Sequence, residues 1–344
     1  MKSNHNFGNG IKPVTLKAPK FWFRKKDEVN IPALLLYPLS KFWEYNVRRR
    51  AQLGTWEKMP VPVICIGNIV IGGSGKTPVT QAIQCLLKEM GLQPHVVSRG
   101  YGGKSKGPIY VSATSTYSEV GDEPILLSKK GPVLVAKDKK RGIYKACENG
   151  ANVILLDDGF QNTSVAKDLS LVVVDSKILF GNQRVIPSGP LREPIHSGFS
   201  RASAIILVNH DKNNISKPIN FEFPSNIPII KATIKPKINL TAWTGKRIIA
   251  FSGIAHPEKF HVTLKNLGCE IVGTYNFSDH YPYKKYDIAK LKVNAQSLNA
   301  KLVTTEKDFI RIPLSQQADI SKLPVQIKFE NHAVLKKLLN KILL

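Results

Sequence analysis

Six consecutive residues, Gly72-Gly73-Ser74-Gly75-Lys76-Thr77, supply the groups that a triphosphate needs. Glycines let backbone N–H groups turn into one concavity and a helix start adds a positive dipole. The Lys76 ammonium reaches the β and γ phosphates, and the Thr77 hydroxyl suits Mg²⁺. The run follows an apolar stretch, 61–66, and precedes a helix-forming one, 78–90, and this context separates a phosphate loop from a chance glycine turn. One position departs from the pattern G-x-x-x-x-G-K-T. Val70 stands where the first glycine is usual, and the nearest upstream glycine is Gly67. With Val70 and Ile71 at its entrance, residues 70–77 form a candidate ATP site.

A phosphate loop needs an acidic partner on a neighbouring strand, and Asp157-Asp158 closes the apolar run 153–156. Adjacent side chains on an extended backbone point to opposite sides, so one carboxylate faces a metal and the other braces the loop; the residues alone do not say which. Asp122, in Val120-Gly121-Asp122-Glu123-Pro124, reads by type as a helix N-cap. His280, in Phe277-Ser278-Asp279-His280-Tyr281, reads as a structural histidine, unless a carboxylate across a cleft pairs with it for general-base work. Arg192 and Glu193, in the stiff run 187–194, and the loop Ser98-Arg99-Gly100-Tyr101-Gly102-Gly103 serve equally as ordinary turns or as substrate loops.

These residues must be held by a scaffold. Short apolar runs at 95–98, 132–136, 153–156, 171–174 and 205–208 alternate with helical stretches, which predicts a mostly parallel sheet flanked by helices, an α/β fold of the P-loop NTPase kind. A length of 344 residues exceeds one comfortable core. Residues 212–240 are rich in Pro, Asn, Ile and Lys and read as a connector. Beyond them, runs at 247–251, 270–273 and 301–304 and a helix at 257–267 suggest a second, smaller α/β lobe. The expected division is 1–50, an N-terminal tail and interfacial segment, then 51–220, the phosphate-loop domain, then 221–344, the smaller lobe. Residues 1–20 lack periodicity and are expected to be unstructured or weakly attached.

Between 21 and 50 aromatics stand beside cations, with Phe21, Trp22, Phe23, Phe42, Trp43 and Tyr45 near Arg24, Lys25, Lys26 and Arg48-Arg49-Arg50. That mixture suits a membrane interface, and equally a helix packed on the protein's own core. The formal net charge of +25 attracts polyanions, whether an anionic leaflet or nucleic acid, and is also a device for solubility. Four separated cysteines without a C-x-x-C pair argue against a disulfide framework or zinc site and for a reducing compartment. Neither a signal-peptide pattern nor an apolar run of membrane-spanning length is expected.

The chain closely resembles the tetraacyldisaccharide 4'-kinase family, the lipid A 4'-kinases of Gram-negative bacteria. The likeness runs from about Phe21 onward through six ordered motifs: Gly67-Asn68 with Gly72 to Pro78, Ser98 to Gly102, Gly121 to Pro124, Asp157 to Gln161, Gly189 to Pro194, and Asp279-His280-Tyr281. Val70 is shared with that family. The resemblance implies ATP and Mg²⁺ as cofactors, a tetraacyldisaccharide 1-phosphate as acceptor, and the 4'-phosphorylated product, lipid IVA. It implies Asp122 as base for the 4'-hydroxyl with His280 as its partner, which reverses the N-cap reading. It also implies Lys76 as a catalytic cation, Asp157 and Asp158 with Thr77 on the metal side, and Arg192 and Glu193 at the ATP or substrate cleft. The expected place is the cytoplasmic face of a bacterial inner membrane, peripheral or monotopic, against an anionic surface, with no nucleic acid and no obligate protein partner. Two alternatives remain at this stage. A P-loop ATPase that binds nucleic acid through its basic surface predicts hydrolysis stimulated by DNA or RNA, and a membrane-peripheral binding module predicts attachment without turnover.

Overall fold

The computed structural model describes residues 18–24, 28, 30–210, 221–238 and 243–343. The weak attachment expected for 1–20 therefore lies, up to residue 17, outside the described residues. So do Lys25 and Lys26 of the basic segment and parts of the expected connector. In chain order the elements are α1 (Ile31–Leu35), α2 (Tyr37–Gln52), β1 (Val63–Gly67), α3 (Lys76–Glu89), β2 (Pro94–Ser98), β3 (Ile109–Tyr110), α4 (Tyr117–Val120), α5 (Asp122–Ser128), β4 (Val133–Val135), α6 (Lys139–Glu148), β5 (Val153–Asp157), β6 (Leu169–Asp175), α7 (Ile195–Phe199), β7 (Ala204–Asn209) and β8 (Ile229–Pro236). They continue with β9 (Arg247–Ser252), α8 (Pro257–Asn266), β10 (Glu270–Asn276), α9 (Lys285–Ser297), β11 (Lys301–Thr305), α10 (Glu306–Ile310), β12 (Ile320–Leu323), β13 (Val325–Phe329) and α11 (His332–Leu343).

Nine strands form one sheet in the order β13-β8-β7-β6-β1-β5-β2-β4-β3, parallel except for the outermost pair at each edge. Successive residues of β1 divide between two cores. Val63 and Cys65 join Ile143, Phe160 and Phe180 on one face, whereas Ile64 and Ile66 join Val79, Ile83 and Leu87 of α3 on the other. That is why the strand reads as an unbroken apolar run: both faces are covered. A second, wholly parallel sheet, β10-β9-β11-β12, repeats the layering with α8 on one side and α9 on the other.

The second unit is smaller than the expected 221–344. Ile229–Pro236, inside the stretch read as a connector, is strand β8 of the large sheet, and β13 pairs with it antiparallel. Leu335 and Leu339 of α11 then bury against the same core as α3, so both ends of 221–344 complete the first unit.

The N-terminal segment docks through polar contacts. Ser40 Oγ donates to the Val185 carbonyl at 2.8 Å, Trp43 Nε1 to the Arg192 carbonyl at 3.1 Å and Trp22 Nε1 to the Pro187 carbonyl at 2.9 Å. Ile31, Leu34, Leu35, Leu39 and Phe42 are left exposed.

Candidate active site

The phosphate loop is shaped by what lies behind it. Asn68 Nδ2, just after β1, donates to the Val70 carbonyl at 2.6 Å and to Ser74 Oγ at 3.1 Å. Val70 forms a β-bridge with Leu191, and flanking bonds join Ile71 N to the Pro190 carbonyl (2.8 Å) and Arg192 N to the Ile69 carbonyl (2.8 Å). The departure at Val70 thus has a structural counterpart: the residue is extended backbone that ties the 189–194 turn to the loop. Gly75, at φ +89°, turns the chain into α3. No side chain caps α3, so its first N–H groups are left for an anion.

Asp157 and Asp158 do face different ways. Asp157 is buried, and its oxygens accept from Thr80 Oγ1 (3.3 Å) and Ser98 Oγ (3.1 Å). Burial, with the charges of Glu123 and Asp158, pushes its carboxyl up to about 6. Asp158, at φ +49°, turns to Lys76, 3.6 Å away, and accepts a fork from Arg192 at 2.9 and 3.2 Å. Burial would raise its pKa, but Lys76 and Arg192 outweigh it and hold the carboxyl below the usual range.

Asp122 is the first residue of α5, after Gly121, so it is not the N-cap that its type suggested. Its Oδ1 accepts from the Glu123 N–H at 2.8 Å, and its Oδ2 lies 3.0 Å from His280 Nδ1 and 3.2 Å from Arg311 Nε. Burial opposes ionisation of Asp122, yet His280, Lys307 and Arg311 together hold its pKa below the ordinary value. Glu123, the next residue, is close enough for its charge to be felt at Asp157, which joins this carboxylate to the phosphate side. His280 follows β10 in the second unit and belongs to a tight turn, φ +56°, whose N–H donates to the Gly253 carbonyl at 3.2 Å.

Comparison with known proteins gives the arrangement a family. Residues 32–343 match the family model described as tetraacyldisaccharide-1-P 4'-kinase. The chain belongs to that family. A tetraacyldisaccharide 4'-kinase of Rhodospirillum centenum is 41% identical over 333 residues, covering 95% of this chain and 97% of the relative. One from Rhodospirillum rubrum is 39% identical over 330 residues, covering 96% and 98%. The crystal structure of LpxK from Aquifex aeolicus in complex with ATP superposes with a TM-score of 0.75 at 30% identity, covering 91% of this chain and 100% of that one. The chain is thus an ATP-dependent kinase that phosphorylates the 4'-hydroxyl of a tetraacyldisaccharide 1-phosphate in lipid A biosynthesis. Nothing in these matches supports the alternative of an ATPase that binds nucleic acid.

Within this kinase site, Lys76, Asp158 and Arg192 come together, as do Asp122 and His280. Glu193 is fully buried in the wall of the cavity beside Arg192, and its carboxylate is taken by Gln161 Nε2 (3.0 Å) and by Arg201. Gln161 Oε1 in turn accepts from Arg192 at 3.1 Å. The sequence reading missed three cations. Lys139, at the start of α6, is buried with its ammonium on the Val97 carbonyl (3.1 Å), and burial pushes it down to about 8 against the pull of Asp157 and Asp158. Lys307 and Arg311 reach Glu123 and Asp122 from the second unit. The available signal was position, since Thr305-Glu306-Lys307-Asp308 follows an apolar strand as Asp157-Asp158 does.

Proposed function

We propose that Asp122 takes the proton of the 4'-hydroxyl while residues 70–77 grip the triphosphate and His280 orients the carboxylate. The observation that carries the proposal is the 3.0 Å contact of Asp122 with His280, two residues 158 apart in sequence and drawn from the two different units. In the transfer, the acceptor oxygen bonds to the γ-phosphorus as the bond to the β–γ bridging oxygen breaks, and the alcohol proton passes to Asp122. Lys76, with Arg192 steadying Asp158, offsets charge on the transferring group. A buried, ionised carboxylate with its orientation fixed supplies placement, which phosphoryl transfer needs more than a strong base.

The oxygens of Thr77, Asp157 and Asp158 fit Mg²⁺, a hard cation that takes one or two carboxylates and completes its shell with phosphates and water. The carboxyl of Asp157 is raised by burial and then by the charges of Glu123 and Asp158, and a cation beside it would favour its ionised form. Among the described residues no group of three or more His, Cys, Asp or Glu could hold a metal by itself. Bound there, Mg²⁺ would neutralise phosphate charge.

The enzyme must also meet a lipid. Each buried methylene is worth ~0.8 kcal/mol, so four acyl chains keep the substrate in the bilayer and the protein must come to it. The apolar face of α1 and α2, with Arg48, Arg49 and Arg50 beside it, suits the cytoplasmic face of a bacterial inner membrane, whose anionic headgroups would also engage the net charge of +25. Among the described residues no helix is long and apolar enough to cross a membrane, so attachment is peripheral or monotopic in this proposal. A cavity of about 380 Å³ between α2 and the Arg192 turn, lined by Trp43, Val47, Arg48, Ile71 and Arg201, joins that face to the phosphate loop. Neither nucleic acid nor an obligate protein partner is needed.

The test is transfer of label from γ-labelled ATP to the disaccharide lipid in detergent micelles, with Asp122→Asn and His280→Asn alongside. Asp122→Asn should lower kcat by about 10²–10⁴-fold, the range for loss of a general base, and His280→Asn by less. Normal turnover in Asp122→Asn would remove that residue from the chemistry.

A further inference from the structure

We infer that Lys307 is a positioning residue for this reaction: by donating to His280 Nε2 it holds the imidazole as the neutral tautomer whose Nδ1–H binds Asp122. His280 is then an orienting group and not a proton relay. The inference rests on Asp122 and His280 acting as proposed above.

Lys307 Nζ lies 3.1 Å from His280 Nε2 and 3.1 Å from Glu123 Oε1. An ammonium has three donors and no acceptor, so Nε2 must offer its lone pair. The other ring nitrogen, 3.0 Å from Asp122 Oδ2, faces a carboxylate that only accepts, so Nδ1 must carry the proton. Both ring nitrogens are committed in opposite senses, and one tautomer satisfies both contacts. Lys307 itself is kept charged: burial would lower its pKa, but Glu123, Asp122 and Asp279 outweigh it and raise it.

The other groups around the ring do not relieve this constraint. Asp279 Oδ1 stands 4.0 Å from Nε2, beyond hydrogen-bonding reach, and Tyr101 meets the ring edge-on with centroids 5.1 Å apart. Arg311 Nε, 3.2 Å from Asp122 Oδ2, adds a second cation on the carboxylate side. A proton passed from Asp122 to His280 would have to leave through Nε2, where the ammonium already sits. Lys307 spans the two units, from α10 to Glu123 on α5, so it aligns the dyad only when the units are together.

The experiment uses the full chain labelled with ¹⁵N-histidine, with the His280 signals assigned by their loss in His280→Asn. In the wild type, the ring proton should sit on Nδ1, with Nε2 unprotonated and accepting from Lys307. Lys307→Met removes the donor at Nε2, so the ring proton should redistribute between Nδ1 and Nε2, seen in the ring shifts. Its kcat should fall about tenfold or more, with KM for ATP and lipid within about threefold, and Lys307→Arg should recover most of the loss. A wild-type ring protonated on Nε2, or on both nitrogens, overturns the inference without any variant. Unchanged ring signals and kcat in Lys307→Met also overturn it, as does a loss shared equally with ATP affinity and thermal stability. Normal turnover in both Asp122→Asn and His280→Asn would instead sink the underlying site assignment. Strong loss in those two beside an unaltered Lys307→Met sinks only the role of Lys307.

Discussion

Replacing Lys259 with Met should loosen the junction of the two sheets through one buried ion pair. Lys259, on α8 of the smaller unit, binds Asp175 at the end of β6 in the large sheet, with side-chain exposures of 10% and 3%. Asp175 has other partners as well. Its Oδ1 accepts from the N–H groups of Lys177 (3.0 Å) and Ile178 (3.2 Å), and its Oδ2 lies 2.7 Å from His210 Nε2. Breaking a buried pair by deleting one member costs ~3–5 kcal/mol when the survivor is stranded. Three remaining partners reduce that, and Met preserves the methylene packing, so a loss of about 2–3 kcal/mol is expected. For a chain of this size that is a fall in Tm of roughly 3–4 °C, because an unfolding entropy of about 0.7 kcal/mol/K gives about 1.4 °C per kcal/mol. The assay is thermal unfolding of the wild type, Lys259→Met, Asp175→Asn and the double variant, with a coupling of about 2 kcal/mol expected from the cycle.

The pH dependence gives a second reading of the same pair. Burial alone would raise the pKa of Asp175, but His210 and Lys259 more than compensate and hold it well below its ordinary 3.8. A depressed carboxyl stabilises the folded state above the unfolded value, and that stabilisation is lost as pH falls through the acid range below it. The gap between wild type and Lys259→Met should therefore be full at pH 7 and shrink below about pH 4. A difference under about 0.5 kcal/mol, an additive cycle, or a gap that persists undiminished in acid would refute the strap.

Two further changes probe the site and its surroundings. Gly121→Ala places a Cβ 2.5 Å from the Tyr101 carbonyl oxygen at φ +89°, and because that neighbour is backbone, Asp122 must move; left-handed strain adds ~1–2 kcal/mol. Its kcat should drop at least about tenfold while ATP affinity, read by titration, stays within about threefold; an unchanged kcat would mean that Asp122 need not be so closely placed. Leu35→Ser, Leu39→Ser and Phe42→Ser combined, at residues exposed by 76%, 58% and 68%, should leave Tm within about 1–2 °C yet abolish flotation with anionic vesicles. Retained flotation would show that α1 and α2 are not the membrane contact.

The parts of this kinase that were legible in the sequence are those whose chemistry is contiguous. Residues 72–77 lie between the strand and the helix that present them, and Asp157 and Asp158 end an apolar run, so their place at the C-terminal end of a strand follows from local pattern. Unbroken apolar strands likewise announced a sheet buried on both faces. The smaller unit's limits were not legible, because the strand period of Ile229–Pro236 does not say which sheet it joins; only its pairing with β7 and β13 decides that. Asp122 looked like a cap because an acid after glycine reads as one whether or not a histidine waits 158 residues away. Lys307, Arg311, Lys259 and Asp175 have the composition of an ordinary solvated surface. Burial and the partner across the junction, both consequences of long-range packing, made them ion pairs that join Asp122, Glu123 and Asp175 of the first unit to the second.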